Sequence, residues 1–423
     1  MSPTFVALRT FNYRVWMGGG IVSNVGTWMQ RVAQDWLVLT ILTDNSALAL
    51  GITTALQFAP MLLLAPIAGV LADRVSKRRL LMATQVAMGA IGLLLGVLVL
   101  TGAVRLWMVY LLALALGIAA AVDTPARQAF VSEMVPREDL SNAVGLNSAS
   151  FHAARVIGPA LAGLLIAWVG TGPVFVINGL SFVAVLISLT RMRVSELAPP
   201  PKAARAKGQL REGLRYVRGR PDIVLMMAIV GVVGTFAFNF QMTMALMATS
   251  VFNKGAGEFG LLGSIMAVGS LTGALLAARR ERPRPRLVVA ATFAFGVFTS
   301  LASVMPTYAT FALMLVPVGM SALILITSAM AIVQLSVAPE MRGRVMAIYL
   351  AIFMGGVPIG APIIGWVGAE HGARWTIGVG GIAALLTAVA ALVWLARARR
   401  LRVRDQLHES PHLQITGAEL VSG

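Results

Sequence analysis

The sequence predicts an all-α membrane protein of twelve transmembrane helices in two pseudo-symmetric six-helix bundles, with both chain termini in the cytoplasm. Three observations predict this fold: 58% of the 423 residues are hydrophobic against 12% charged, the apolar residues form long runs, and basic residues collect in alternate gaps between the runs. A water-soluble core of ordinary size cannot bury so much apolar surface, so lipid must solvate part of the chain.

The apolar runs approach or exceed the ~20 residues that a helix needs to cross ~30 Å of hydrocarbon. Glycine and proline occur inside them, which membrane helices tolerate, and the alternating pattern of a β-barrel is absent. The predicted spans are residues 14–40, 46–72, 79–101, 106–126, 140–168, 172–190, 222–250, 258–278, 286–304, 308–334, 343–367 and 373–396.

Charge predicts the orientation of these spans. Nearly all of the 34 Lys and Arg residues lie at the termini or in one alternating set of gaps, whereas the opposite gaps contain only Arg105, Lys254 and Arg374. By the positive-inside rule the basic gaps face the cytoplasm. We therefore expect a multi-pass protein of the inner, or plasma, membrane of a bacterium. Topology thus explains the net charge of +17 without nucleic-acid binding, and the absence of cysteine excludes disulfides and thiolate metal sites.

The chain divides near its middle. Residues 191–221 are basic and contain three consecutive prolines, which predicts a cytoplasmic linker between an N-terminal bundle, residues 1–190, and a C-terminal bundle, residues 222–396; residues 397–423 form a cytoplasmic tail. Residues 21–28 resemble residues 229–236, and the spacing from Pro136 to Pro159 equals that from Pro339 to Pro362. Such internal similarity is typical of secondary transporters built from repeats.

A basic turn follows the second span and contains Gly69, Asp73, Arg74, Lys77 and Arg78. A carboxylate at a helix end beside basic residues can form a latch that breaks when the two bundles move. The alternative is a charge cluster that only sets topology. The spacing resembles the loop signature of the major facilitator superfamily, with a serine at position 76 where a glycine is usual.

The fifth span contains small residues and a proline at Gly145, Ala154, Gly158, Pro159 and Gly163. Small residues allow close helix contacts, and the pattern is similar to the antiporter motif of exporters in the same superfamily. The alternative is that these small residues serve only helix packing and have no role in export. Residues 26–36, 123–130 and 142–163 look like the enterobactin-exporter and drug:proton-antiporter group. This resemblance implies proton-driven efflux of amphipathic compounds by a single chain.

Ionisable residues inside hydrocarbon are functional candidates. Arg31 and Asp35 share one helix face, Asp123 is a rival proton carrier, Arg155 needs a counter-ion or an anionic substrate, and His152 could assist proton transfer. The alternatives are a structural ion pair at Asp35, a latch role for Asp123 and a merely hydrogen-bonded His152.

Polar, aromatic and methionine side chains at mid-helix depth are the candidates for a substrate cavity, since such surfaces suit bulky amphipathic ligands. They are Asn24, Trp28, Gln57, Asn147, Phe151, Phe236, Asn239, Phe240, Gln241, Met266, Tyr349 and Phe353.

No phosphate loop, H-E-x-x-H or G-x-S-x-G motif occurs, and the four histidines are scattered, so we expect no enzyme, cofactor or metal site. Three functions stay open. They are a proton-coupled antiporter that exports amphipathic drugs, a dedicated siderophore or metabolite exporter that depends on Arg155, and a membrane receptor or sensor without transport that uses residues 191–221 as its contact surface.

Overall fold

The computed structural model describes residues 3–198, 209–278 and 284–408, and within these ranges the chain is helical and contains no β-strand. The α-helices are α1 (Phe11–Trp36), α2 (Ala47–Leu63), α3 (Ala65–Arg74), α4 (Lys77–Leu100), α5 (Leu106–Met134), α6 (Leu140–Val169), α7 (Thr171–Arg191), α8 (Gln209–Arg218), α9 (Pro221–Phe236), α10 (Phe240–Leu246), α11 (Ala256–Ala278), α12 (Pro285–Val304), α13 (Tyr308–Ser336), α14 (Pro339–His371) and α15 (Ala373–His408). Two π-helical segments, Leu37–Leu42 and Met247–Val251, extend α1 and α10.

Ten helical segments of the described chain are long and apolar enough to cross a membrane. The first two predicted spans are not among them. Helix α1 contains four consecutive turns with polar residues up to Asp35, and α2 is only 17 residues long before the chain bends at Leu64. Helix α3 follows the bend, because the proline near its start cannot donate the backbone hydrogen bond that would continue α2.

Helices α1–α7 pack mainly on one another, and so do α9–α15. The two groups meet along two seams, α2 against α14 and α6 against α11. Small residues bring the backbones together: a Cβ atom on Gly51 would lie 2.5 Å from the carbonyl oxygen of Ala361, and one on Gly163 would lie 2.6 Å from that of Ala256. At these glycines the two helix backbones contact each other directly, as is typical of helix pairs in membranes.

Both seams are tightest at the same end of the molecule. The start of α2 meets the end of α14, and the end of α6 meets the start of α11. At the opposite end, which carries the basic loops, Gly145 of α6 and Gly343 of α14 have open space around an added Cβ atom. The two helix groups therefore contact each other most closely at the end away from the basic loops.

The region predicted as one span, residues 222–250, is broken into α9 and α10 around Phe238. The carbonyl oxygen of Thr235 accepts a hydrogen bond of 2.9 Å from the Asn239 side-chain amide, which takes the place of a backbone donor in the next turn. Helix α14 approaches this point through Gly356 and Gly360; a methyl group on Gly360 would overlap the same carbonyl oxygen. The break is therefore stabilised by the Asn239 hydrogen bond and by the close packing of α14.

The segments outside the two helix groups are partly helical. Part of the predicted linker forms helix α8, which is joined to α14 by an ion pair of 2.8 Å between Glu212 and Arg344. Residues 199–208 of the linker lie outside the described residues. Helix α15 continues past Ala396 to His408, so the first part of the predicted tail is helical, and residues 409–423 lie outside the described residues.

We expect Gly360→Ala to lower the free energy of unfolding by on the order of 1–3 kcal/mol, because α9 and α14 must separate to admit the methyl group. Gly343→Ala, in the same helix but with open space around its Cβ position, serves as the control and should be neutral or stabilising by up to about 1 kcal/mol. Thermal unfolding of the purified proteins in detergent measures both; equal midpoints would contradict the close packing of α9 and α14.

Candidate functional site

A cavity of about 200 Å³ lies between the two helix groups. It is bounded by α1, α2 and α6 on one side, and by the α9–α10 break, α11 and α14 on the other. Eight of the twenty lining residues are aromatic or methionine, and three side chains are charged. The lining residues are Trp28, Arg31, Val32, Asp35, Thr54, Gln57, Phe58, Arg155, Pro159, Phe238, Asn239, Phe240, Gln241, Met242, Met244, Phe259, Gly263, Met266, Ala267 and Val357.

The break between α9 and α10 contributes a continuous part of this wall, from Phe238 to Met242. Irregular backbone at membrane depth is tolerated where it lines a cavity, and broken helices of this kind form binding sites in transporters. The side-chain oxygen of Asn239 is buried there without a hydrogen-bond partner in the described part of the chain. It is therefore a buried acceptor, on a residue that lines the cavity, whose hydrogen-bonding capacity is unused.

Two arginines share one aromatic ring in the cavity. The guanidinium carbons of Arg31 and Arg155 lie 4.6 Å and 5.7 Å from the centroid of Trp28, and that of Arg31 also lies 5.3 Å from the centroid of Phe58. These cation–π contacts partly compensate for the loss of water around two buried charges. The Nε atom of Arg31 is buried without a partner in the described chain, so hydrogen-bonding capacity remains unused.

Asp35 is the single carboxylate among the described lining residues, and its exposed fraction is 7%. It follows Arg31 by one helical turn and lies beside the Gln241 side chain of α10. Among the ion pairs of the described chain none includes Asp35; the pairs are Lys77–Glu133, Asp123–Arg127, Arg193–Glu196, Arg220–Asp222 and Glu212–Arg344. A carboxylate held between helices but not tied to a cation can gain or lose a proton without breaking an ion pair.

A polar network lies behind the cavity. The Gln34 amide donates a 2.9 Å hydrogen bond to the Gln57 side chain, and the Asn178 amide donates to the Gln30 side chain. A second cavity of about 90 Å³ touches this network and shares Arg31, Gln57 and Phe58 with the first. Asn178 was not among the predicted residues; a lone asparagine in the apolar span 172–190 was the signal that could have found it.

Six of the predicted cavity residues line the larger cavity: Trp28, Gln57, Asn239, Phe240, Gln241 and Met266. The structure places the other six outside its lining. Phe151 contacts Trp28 edge-on at 5.8 Å, Phe353 contacts Phe238 at 5.8 Å, and the Tyr349 hydroxyl donates to the carbonyl of Ile326, while Asn24, Asn147 and Phe236 lie elsewhere on their helices. Several aromatic and methionine lining residues, such as Phe259 and Met244, were not predicted, because their helix faces cannot be told from sequence.

Asp123 lies in a different environment, inside the N-terminal helix group. Its carboxylate accepts hydrogen bonds of 2.7 Å from Thr84 and 2.7 Å from Gln85, and it pairs with Arg127 at 2.9 Å. None of these residues lines the cavity between the helix groups. His152 does not line it either; its ring lies against Phe151.

The basic turn after α3 is tied to the N-terminal helix group. Lys77 pairs with Glu133 of α5 at 2.6 Å, and the Arg78 guanidinium donates a 2.7 Å hydrogen bond to the carbonyl oxygen of Leu189. Gly69 and Arg74 lie on α3. The side chain of Asp73 lies outside what the structure describes, so its part in a latch stays a prediction.

The small residues of α6 lie at two interfaces. A Cβ atom on Gly158 would be 2.5 Å from the Cβ atom of Trp28, so α6 packs directly behind the ring that both arginines share. Pro159 and Gly163 contact α11 across the seam, Ala154 is buried, and Gly145 has open space around it. Helix α6 therefore touches the cavity and the seam at neighbouring positions.

Within the described ranges, no group of three His, Asp or Glu side chains could hold a metal ion. What the cavity offers is a pair of cations, a carboxylate, amide groups and an aromatic and methionine wall between two groups of membrane helices. Together with the fold, this is typical of a multi-pass membrane transporter.

A family model described as transmembrane secretion effector matches residues 2–420, and the chain belongs to this family of the major facilitator superfamily. It is an efflux transporter of the major facilitator type. The chain is 27% identical over 259 residues to the staphyloferrin A transporter of Staphylococcus aureus, covering 60% of this chain and 63% of that protein.

Two further relatives match over most of their length. The chain is 23% identical to macrolide efflux protein A of Streptococcus pyogenes, covering 82% of this chain and 87% of that protein. It is 26% identical to the enterobactin exporter of Shigella boydii, covering 85% and 86%.

Solved structures share the fold at lower identity. A bacterial homologue of the lysosomal transporter Spinster, inward-facing and unoccupied, has a TM-score of 0.69 at 16% identity and covers 93% of this chain and 96% of that one. A D-xylose–proton symporter has a TM-score of 0.70 at 12% identity, covering 91% and 97%.

We expect Asp123→Asn to destabilise the protein by on the order of 3 kcal/mol, since it leaves the partly buried Arg127 guanidinium without its counter-ion. Asp35→Asn removes no ion pair and should lower stability less. Thermal unfolding of both variants in detergent, with the exposed Asp44→Asn as control, tests this difference. A larger loss in Asp35→Asn would show that Asp35 is the structural carboxylate.

Proposed function

We propose that this protein is a proton-coupled antiporter that exports amphipathic small molecules across the plasma membrane. The observation that carries the proposal is the unpaired Asp35 carboxylate in a cavity between two helix groups. Relatives named for export of macrolides and of siderophores support efflux of bulky compounds. The aromatic and methionine wall fits such ligands, because methionine adapts to differently shaped apolar surfaces.

The topology belongs to the same proposal. Ten segments have the length and composition of spans, and α1 with its π-helical extension and α2 with α3 would supply the remaining two of twelve. The basic loops would then face the cytoplasm, with both termini on that side. In this orientation the tight ends of the two seams lie at the outer surface, so the described conformation would be closed to the outside and accessible from the cytoplasm.

Coupling follows from charge. With Asp35 ionised, the cavity carries two arginine charges and one carboxylate; protonation removes the negative charge. A neutral or cationic amphipath that contacts Asp35 binds better to the ionised form, and a proton binds better to the empty site. Proton and substrate therefore exclude each other from one site, and if both forms cross the membrane by the same movement of the helix groups, exchange results.

We expect Asp35→Asn to abolish transport driven by a pH gradient and to retain exchange of substrate for substrate without a gradient. Liposomes containing the purified protein and a cationic dye measure both rates, and a fall of about tenfold or more in the first, about 1.4 kcal/mol of lost coupling, is the expected result. Asp44→Asn, exposed in the loop after α1, is the matched control. Unchanged gradient-driven transport in Asp35→Asn would transfer the proton role to another residue such as Asp123.

A dedicated siderophore or metabolite exporter is the second candidate, and the two arginines over Trp28 favour it. Guanidinium groups recognise carboxylate or catecholate oxygens well, and the Nε donor of Arg31 is unused in the described chain. In such a site Asp35 competes with the anion for Arg31, so the anion binds better when Asp35 is protonated. An anion that leaves the cell would also be driven outward by a membrane potential that is negative inside.

The two candidates predict opposite effects of pH on binding. Affinity for a neutral or cationic substrate should rise as pH rises and Asp35 loses its proton, whereas affinity for an anion should fall over the same interval. Equilibrium binding of a cationic dye and of an enterobactin-like anion, measured over a series of pH values in wild type and Asp35→Asn, distinguishes them. Arg155→Gln should weaken the anion selectively; equal weakening of both ligands would contradict a charge-specific role.

A further inference from the structure

A second candidate site lies away from the cavity, on the lateral surface of the helix bundle between α12 and α15. A groove of about 910 Å³ opens there toward the lipid. Its two basic side chains, Arg284 and Arg286, stand at the start of α12, and its walls further along are apolar, with Phe293, Val389 and Leu392 about half exposed. At 1.5 Å per residue, the apolar wall at Phe293 lies about 13 Å below the arginines. The groove is thus charged at one end and hydrophobic along its length.

The N-terminal helix group provides an internal comparison. Helix α4 packs against α5 and α7 as α12 packs against α13 and α15, and it too begins with basic residues. There, however, two of the three are held by the protein: Lys77 pairs with Glu133, and Arg78 donates to the carbonyl oxygen of Leu189 on α7, while Arg79 is exposed. The first two basic residues of α4 are consequently bound to neighbouring helices.

In the C-terminal group the corresponding basic residues have no such partners. Arg284 and Arg286 are exposed, and in the described part of the chain neither side chain has a hydrogen bond or an ion pair. Two guanidinium groups at the mouth of a lipid-facing groove therefore retain their full capacity for an oxyanion.

We propose that this groove binds one anionic phospholipid of the cytoplasmic leaflet, with its phosphate between Arg284 and Arg286 and an acyl chain along the apolar wall. Arginine forms paired, charge-assisted hydrogen bonds with phosphate oxygens. Basic pockets between membrane helices on the cytoplasmic side are known to take such headgroups, and the volume lies within the range of small-molecule sites. The assignment to the cytoplasmic leaflet rests on the proposed topology, whereas the binding itself does not depend on transport.

Native mass spectrometry of the full chain, titrated in detergent with phosphatidylglycerol and with phosphatidylcholine, tests the proposal. Wild type should bind one phosphatidylglycerol more tightly than phosphatidylcholine, and Arg284→Ala/Arg286→Ala should weaken phosphatidylglycerol about tenfold. Ala290→Trp, which fills the exposed wall of the groove without changing charge, should weaken it similarly. Arg79→Ala/Arg191→Ala removes two exposed charges from the basic ends of α4 and α7 and is the charge-matched control.

Added phosphatidylglycerol should also raise the thermal midpoint of wild type and of the control, but not of the groove variants, since a ligand that binds only the folded state stabilises it. Equal weakening in the control variant would show general attraction of anionic lipid to the basic surface and would overturn the site. Unchanged binding in Ala290→Trp, or equal affinity for both lipids, would do the same. Inorganic phosphate that competes as effectively as the lipid would identify an anion site without an acyl chain and would also overturn the proposal.

Discussion

The structure depends on one constraint: inside hydrocarbon, water cannot satisfy a polar group, so the protein must. Regular helix does this for almost all of the backbone. At the α9–α10 break, the Asn239 amide takes over a carbonyl that a backbone group would otherwise use, and the remaining irregular backbone faces a cavity. The charges of Arg31 and Arg155 are also stabilised by the protein, since both guanidinium groups contact the Trp28 ring. The broken helix and the two buried charges therefore lie at the same cavity.

Close backbone contact is the second consequence of the same solvent. Lipid is as apolar as the helix surfaces, so helices gain little by burying leucine against leucine and more by approaching closely. Gly51 and Gly365 on one seam, and Gly163 and Gly260 on the other, permit that approach at one end of the molecule. The seams therefore bring backbones into contact at that end, beside a hydrophobic core that residues of both helix groups share.

Hydropathy and charge predicted the positions of the helices well, because each span must satisfy the same length requirement. They could not predict the break around Phe238, since no proline or glycine marks it and it depends on glycines of α14, more than 100 residues later. The partners of Asp123 were hidden for a similar reason: Thr84 and Gln85 lie on another helix. Of the candidate site, the ionisable residues were recognisable because they are rare in apolar spans. The face that each aromatic residue presents was not, because an all-round apolar helix carries no pattern that distinguishes lipid from cavity.

The packing of α6 against α1 has an evolutionary consequence. Gly158 stands directly behind Trp28, and Pro159 and Gly163 contact α11, so almost any larger side chain on this face would disturb both the aromatic ring and the seam. The opposite wall contains Met242, Met244 and Met266, flexible side chains that accept replacement at little cost. Substitutions that change substrate recognition among related proteins should therefore accumulate on the methionine-rich wall. The glycine face of α6 should remain almost invariant.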